Sequence, residues 1–353
     1  MIIRKLQAEN FRNLQRVELA AHPRLNYLYG ANGAGKTSIL ESMVVLARGR
    51  SFRTTQTAEL IGPDSGTFRV FALAEAENGA VLRLGLERSG KRWRGRRNGE
   101  DLSQLSQLTR SLPLVLMEPD SHLLISGPPE VRRRYVDWGM FHVEPGFLET
   151  WRNLARALKQ RNAALRGNQA NMLDSLDAVM AQHAELLSKH RHHHTEIIAR
   201  NLQPMLAAVN SGLPDIAVRY QRGWSGGDYL DALRANRVRD IERGMTLSGP
   251  HRADLEFTCG DVPARSLLSR GEQKVLAAAL LLTQAELLVS TGEKPVILLD
   301  DLASEFDRFH FDSVLQRALT IGCQVWVSGT QEEHPAGACS VFHVEQGRVR
   351  EVI

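Results

Sequence analysis

Hydrophobic positions come mostly in short runs towards the two ends of the chain and at helical spacing through its middle. Residues 2–3, 17–19 and 25–29 are short apolar runs that predict strands, the last leading into a glycine-containing segment at Gly30. Residues 37–47 carry Ile39, Leu40, Met43, Val44 and Leu46 with no Gly or Pro, the spacing of a buried helix. Strands return at residues 68–73, 81–86 and 91–97, and Ser89-Gly90 and Asn98-Gly99 supply hairpin turns between them. After Pro128-Pro129 the period changes. Phe147, Trp151, Leu154 and Leu158 recur every three or four residues, and Met172, Leu176, Val179 and Leu186 continue as a second helix. Together they predict a short helical hairpin, each arm on the order of 30 Å at about 1.5 Å rise per residue. Beyond Pro204 the chain is turn-rich, at Gly212, Pro214, Gly223, Gly226 and Gly227. Strands follow near residues 246–257, then a helix from Glu272 and a buried strand Val296–Leu299. The pattern predicts an α/β fold in two lobes: residues 1–115 with 285–353 as mixed sheet around a central helix, and residues 116–284 as a largely helical lobe.

Composition narrows the class. Across 353 residues, 43% hydrophobic and 24% charged positions exclude a disordered, collagen-like or disulfide-dense chain. The longest apolar stretch, residues 275–282, falls far short of the roughly 20 residues that span a bilayer. Arg4, Lys5, Glu9 and Arg12 charge the start, so no secretory signal is read and a cytoplasmic location is expected. Cys259, Cys323 and Cys339 are odd in number and lack C-x-x-C spacing, which points to neither disulfides nor zinc. A formal net charge of +4 leans towards anionic partners without demanding them.

Two segments carry chemistry. Gly30-Ala31-Asn32-Gly33-Ala34-Gly35-Lys36-Thr37 fits G-x-x-x-x-G-K-[ST] between a predicted strand and helix. The glycines turn backbone N–H groups round phosphates, the helix start adds its positive dipole end, Lys36 reaches the terminal phosphates, and Thr37 is placed to hold Mg2+. The second segment, Pro295 to Asp301, is an apolar strand ending in two carboxylates, at the strand edge where doubly wound sheets place ligands. Asp300 is expected in the magnesium shell, and Asp301 is close enough to polarise the water attacking the γ-phosphate; the bland alternative is a strand-end pair that caps a helix. A third segment, Leu268-Ser269-Arg270-Gly271-Glu272-Gln273, opens a strongly helical run, so Ser269 and the Gly271 amide form either an anion site or a simple helix cap.

In this combination the chain resembles the ABC-type ATPase heads, whose L-S-G-G-Q signature closes over ATP held by a partner's P-loop. Leu268, Ser269, Gly271 and Gln273 match that signature, while Arg270 stands in place of its first glycine and Glu272 precedes the glutamine. Residues 304–307, Ser-Glu-Phe-Asp, look like the D-loop that crosses such a dimer. Within these heads the chain is similar to the RecF family. The likeness runs from Glu9-Asn10-Phe11-Arg12-Asn13-Leu14 through Gly49-Arg50-Ser51-Phe52-Arg53-Thr54, Glu118-Pro119-Asp120 with residues 128–134, and Gly249-Pro250-His251-Arg252 to residues 299–307. The resemblance implies an ATP-dependent, clamp-like homodimer. Such a dimer binds double- and single-stranded DNA at gaps and junctions, and works with RecR and RecO to load recombinase in recombinational repair and the SOS response. The broader superfamily commonly has Glu after the first acidic residue and a switch histidine on the next strand. Here Asp301 and the run Val325-Trp326-Val327-Ser328-Gly329-Thr330 stand instead, which predicts slow turnover acting as a release timer.

DNA candidates are Lys91, Arg92, Arg94, Arg96 and Arg97 on one predicted hairpin strand, where basic side chains equally protect a sheet edge, and Arg132 and Arg133 at a helix start, where part of the cluster Arg132-Arg133-Arg134 is expected in structural ion pairs. The tract His190-Arg191-His192-His193-His194 points round a helix rather than converging on a metal, and reads as a solvated helix end. Three other readings are weighed. A transporter's nucleotide-binding subunit lacks a place for the RecF-type segments. In a short SMC-like head, a separation of 231 positions from Thr37 to Leu268 leaves too little for a long coiled-coil arm. A DNA-binding scaffold using ATP only structurally is separated by a Lys36 variant assayed for ATP binding, hydrolysis and DNA release.

Overall fold

A computed structural model describes residues 1–167, 169–332 and 337–352. In chain order, β1 (Ile2–Phe11), β2 (Leu14–Ala20), β3 (Leu25–Tyr29), α1 (Lys36–Arg48), β4 (Thr67–Glu75), β5 (Val81–Ser89), β6 (Arg92–Arg97), β7 (Glu100–Asp101), α2 (Ser106–Ser111) and β8 (Leu114–Met117) come first. They are followed by α3 (Leu123–Ser126), α4 (Pro129–Val143), α5 (Phe147–Arg166), α6 (Leu173–Ala208), β9 (Ala217–Gln221), α7 (Tyr229–Arg243), β10 (Asp254–Cys259), β11 (Val262–Pro263), α8 (Ala264–Leu267) and α9 (Arg270–Ser290). The chain ends with β12 (Val296–Leu299), α10 (Arg308–Thr320), β13 (Gln324–Gly329), β14 (Ser340–Glu345) and β15 (Arg348–Glu351). Two compact units result: Met1–Ser121 with Ala207–Ser211 and Ala278–Ile353, and His122–Leu206 with Gly212–Ala277.

The first unit holds two sheets with α1 packed against strands of both. Among the described residues, one sheet runs β15-β14-β3-β13-β12-β8 and the other β2-β1-β4-β5-β6-β7. β8, β12, β13, β3 and β14 are parallel neighbours in that order, so β3 and β12 lie on either side of β13. β12 is an unbroken apolar run and β13 is buried at every position, because parallel strands are covered on both faces. The antiparallel sheet alternates instead: β4 buries Phe68, Val70, Ala72 and Ala74 and turns the intervening residues outward. Helix α1 is buried almost throughout, because both sheets need its apolar residues to close a core.

The second unit is mostly helical, with the three-stranded sheet β11-β10-β9. It departs from the sequence reading in three ways. Helix α6 is 36 residues long, on the order of 54 Å at about 1.5 Å per residue, so the second arm is not a short one. Pro204 lies inside it, at the cost of one intrahelical hydrogen bond, and the helix still continues to Ala208. The histidine tract is therefore mid-helix rather than a solvated end: Arg191 and His194 are buried, and only His192 and His193 face out. Strand β10 begins at Asp254, because Gly249, at φ 131, and Pro250 take the preceding residues into a turn. Buried charges tie this unit together. Arg161, fully buried, donates from Nε to Asp177 at 2.6 Å and from Nη1 to Asp240 at 2.7 Å.

Helix α9 is, by length and composition alone, apolar enough to cross a membrane, but 67% of that window is packed inside the protein, as in a core helix. Among the described residues Cys259, Cys323 and Cys339 form no disulfide.

Candidate functional site

The glycine-rich segment between β3 and α1 forms a closed backbone turn. A Cβ at Gly30 would lie 2.1 Å from the Val344 carbonyl oxygen, so the loop reaches this curvature against β14 only with glycine there. Gly35, at φ 118, caps α1 with no side-chain hydrogen bond, which leaves the first helical N–H groups open to an anion. Asn13 holds the loop from outside: its Nδ2 donates to the Gly33 carbonyl at 3.1 Å, and its Oδ1 accepts from Ser38 Oγ at 2.8 Å. Lys36 is buried, and its Nζ donates to the carbonyls of Gly30 (2.7 Å) and Ala31 (3.0 Å). Burial lowers its pKa, and Asp301 and Asp300 pull it back.

The acidic pair comes off the end of β12. Asp300 is 3% exposed, and its Oδ1 accepts from Thr37 Oγ1 at 3.0 Å and Ser328 Oγ at 2.7 Å. Burial raises its pKa, against those two hydrogen bonds. The same Ser328 Oγ accepts from the Asp301 N–H at 2.8 Å, so a hydroxyl on β13 holds the Asp300 carboxylate and the Asp301 backbone. Asp301 sits in the left-handed region at φ 51, a conformation of the kind that clusters at functional sites. A cavity of about 620 Å3 brings Asn32, Gly33, Ala34, Gly35, Lys36, Thr37 and Asp301 together with Arg12, Asn13 and Arg53.

Sequence reasoning passed over several of these residues. Glu41 is fully buried on α1, four residues after Thr37, and clamps both cavity arginines: Arg12 donates to it at 2.8 and 3.0 Å and Arg53 at 3.4 Å, with Ser51 Oγ a further donor. A carboxylate inside an otherwise apolar buried helix was the available signal. Glu118, at the end of β8, has its carboxyl pushed up to about 7 by burial, then by Asp120 and Asp300. The sequence shows the neighbouring Asp120 in Glu118-Pro119-Asp120 but not the burial, which is the main cause and comes only with the fold.

The signature segment, in the second unit, forms a capping box at the start of α9. Glu272 Oε2 accepts from the Ser269 N–H at 2.7 Å, and Ser269 Oγ accepts from the Glu272 N–H at 3.4 Å. Ser269, Arg270, Gly271 and Glu272 are exposed. Gln273 departs from its expected role as a nucleotide contact. It is 8% exposed, and its Nε2 donates to the carbonyls of Leu268 (2.9 Å) and Arg265 (3.3 Å), so it shapes the helix start from within. Ser269→Ala is expected to cost about 1 kcal/mol of stability in urea unfolding, while Ser269→Asp, an equally good cap, leaves the transition in place.

The DNA candidates separate. Arg132 is 4% exposed, bonded to Asp254 at 2.7 and 3.0 Å and to the Gly127 carbonyl at 2.7 Å, so it is a structural ion pair and not a DNA contact. Arg133 is half-buried and donates to the Ala253 carbonyl at 2.8 Å. Arg94 and Arg96 are engaged by Asp101 across the β6–β7 turn, and their hydrogen bonds hold its carboxyl down to about 2. Lys91, Arg92 and Arg97 stay exposed.

Comparison with known proteins agrees with this geometry. The family described as RecF/RecN/SMC N terminal domain matches residues 2–350. The chain is 43% identical over 363 residues to the DNA replication and repair protein RecF of Xanthomonas axonopodis pv. citri (strain 306), covering 99% of this chain and 98% of that one. With the RecF of Erwinia tasmaniensis it shares 37% identity over 359 residues, again 99% and 98% of the two chains. Among solved structures, the recombination mediator protein RecF-ATP in the RecFOR pathway superposes with a TM-score of 0.91 at 23% identity, over 100% of this chain and 98% of that one. An SmcHead bound to the C-winged helix domain of ScpA gives 0.60 at 16% identity, over 100% and 97%. The fold is thus that of an ABC-type ATPase head, and at 37–43% identity to these relatives over 99% of its length the chain belongs to the RecF family.

Proposed function

We propose that the protein is an ATP-dependent DNA-binding repair and replication protein. Two copies close on ATP and on DNA at single-strand gaps or junctions, and slow hydrolysis releases the DNA. The observation that carries this reading is the single cavity joining the glycine turn, Lys36, Thr37 and Asp301, with Asp300 hydrogen-bonded to Thr37 behind it. Backbone N–H groups of residues 33–37 bind the phosphates, and Lys36 exchanges its carbonyl partners for terminal phosphate oxygens. Thr37 and Asp300 are a hard-oxygen pair of the kind that fits Mg2+, and they would hold it. When bound, Mg2+ neutralises charge between the outer phosphates.

Asp301, fixed through its N–H by Ser328, orients the attacking water. Ser328 stands on the strand where related heads commonly carry a histidine, and its hydroxyl is committed to Asp300, which leaves one group fewer to stabilise the transition state. Slow turnover follows. The exposed Ser269 to Gly271 cap offers an anion site for the nucleotide of a second copy. The names DNA replication and repair protein RecF and recombination mediator protein RecF in the RecFOR pathway support DNA, RecR and RecO as partners in recombinational repair; action in the SOS response and a cytoplasmic location complete the proposal. Sedimentation with and without ATP and Mg2+, beside ATPase rates on single-stranded, duplex and gapped DNA, tests the reading. The expected result is an ATP-dependent dimer whose slow hydrolysis DNA stimulates, and which Ser269→Asp abolishes by repelling the triphosphate although the cap survives. A monomer indifferent to ATP would overturn it.

A further inference from the structure

The second unit contains a polar cleft of about 880 Å3 that the ATP site does not use. One wall is a single face of α6, where Glu185, Ser188, Lys189 and His192 follow at helical spacing. The other wall joins the end of β9 and its loop, residues 220–225, to Ser248 and Arg252 of the Gly249-Pro250-His251-Arg252 turn, a motif the nucleotide chemistry leaves unexplained.

The walls are built rather than incidental. Buried Arg191 donates to the Pro250 carbonyl at 2.7 Å and is paired with Asp137, Gly249 N–H donates to the Gly223 carbonyl at 2.9 Å, and Tyr229 Oη donates to the Ser248 carbonyl at 2.6 Å. Arg222 lies 4.9 Å from the centroid of the Trp224 ring.

Two features ask for a ligand. Trp224 is 92% buried, at 8% exposure, yet its indole Nε1–H has no hydrogen-bond partner, and Ser248 Oγ has none either. An unmet buried donor is costly, and in a native protein it calls for an explanation. The charges are also unbalanced: Lys189, Arg222 and Arg252 line the cleft, beside the His192 imidazole, against one carboxylate, Glu185, which already accepts from the Tyr229 N–H at 2.7 Å. His192 faces Glu196 at 3.5 Å, whereas among the described residues neither Lys189 nor Arg252 has an acidic partner.

We propose that this cleft binds the phosphodiester backbone of DNA. A phosphodiester presents only acceptors, so it can satisfy the indole N–H, the hydroxyls and the two unpaired cations without bringing donors of its own. An acidic peptide would bring backbone N–H groups, and the one carboxylate available to receive them is spent. This rests on the DNA-binding reading above, and the test separates the two.

Anisotropy of labelled duplex, gapped and single-stranded DNA would be read on the full protein with ATP across a salt series. Lys189→Ala with Arg252→Ala is expected to weaken binding at least about tenfold and to flatten the slope of log K against log salt by about 0.9 per lost contact on duplex and about 0.7 on single strands. ATP affinity is expected to stay unchanged, and Lys189→Arg with Arg252→Lys to recover most of the binding. Wild-type protein that ignores DNA removes the functional reading. Wild-type binding with an unaltered slope in the double variant removes this proposal alone. In NMR spectra the Trp224 indole N–H, assigned through Trp224→Phe, is expected to shift on adding an oligonucleotide. A shift with inorganic phosphate or a poly-glutamate peptide but none with the oligonucleotide overturns the assignment.

Discussion

Replacing Lys36 by methionine is expected to weaken ATP binding by about a hundredfold or more, measured by calorimetry, with circular dichroism unchanged. The Lys36 ammonium is buried and held by the Gly30 and Ala31 carbonyls at 2.7 and 3.0 Å. Its lowered pKa shows that burial penalises the cation there, and Asp301 and Asp300 help retain it. A triphosphate supplies a far stronger charge-assisted partner in the same place. Removing one side of such a buried charged pair costs about 2–5 kcal/mol, and each 1.4 kcal/mol or so is a factor of ten in affinity. Lys36→Arg retains the charge, but its planar fork does not match a compact ammonium seated between two carbonyls, so partial binding without productive closure is expected. Affinity within twofold of wild type for the methionine variant contradicts the role assigned to Lys36.

Arg161→Ala is expected to destabilise the second unit by about 3–5 kcal/mol, a large share of the roughly 5–15 kcal/mol that holds a domain folded. The change leaves Asp177 and Asp240, both 0% exposed, as carboxylates without their buried counter-ion. Arg237, at 2.7 Å from Asp177, and the Leu247 N–H, at 3.0 Å from Asp240, each offset only part of that loss. Urea unfolding measures it as a lower midpoint. Arg134→Ala, which breaks the exposed pair with Glu130, is the control and is expected to change stability by less than about 1 kcal/mol. Equal effects from the two substitutions would show that burial is not what gives the Arg161 cluster its weight.

The phosphate loop, the acidic strand and the helix cap at Ser269 were legible in the sequence because each rests on a contiguous run of residues obeying a local rule. A glycine turn between strand and helix, an apolar strand ending in carboxylates, and a serine three residues before a glutamate all declare their backbone geometry. Charged side chains do not declare their partners. Arg132 looked available to DNA until the fold set it against Asp254, 122 residues away, and Gln273 until the turn at Leu268 took its amide. The reach of α6 past Pro204 was likewise missed, since one lost hydrogen bond is a small penalty in a helix this long.

What the sequence determined by itself was the glycine turn, the acidic strand end and the strands and helix that carry them. The tertiary structure decided which groups meet. Thr37 and Asp300, 263 residues apart, touch because β13 lies between β3 and β12, and Ser328, Glu41 and the cleft at Trp224 acquire their partners only when distant segments are packed side by side. Local rules set backbone shape over a few residues, while the pairing of buried charges and donors is fixed only once packing has removed the water that would otherwise satisfy them.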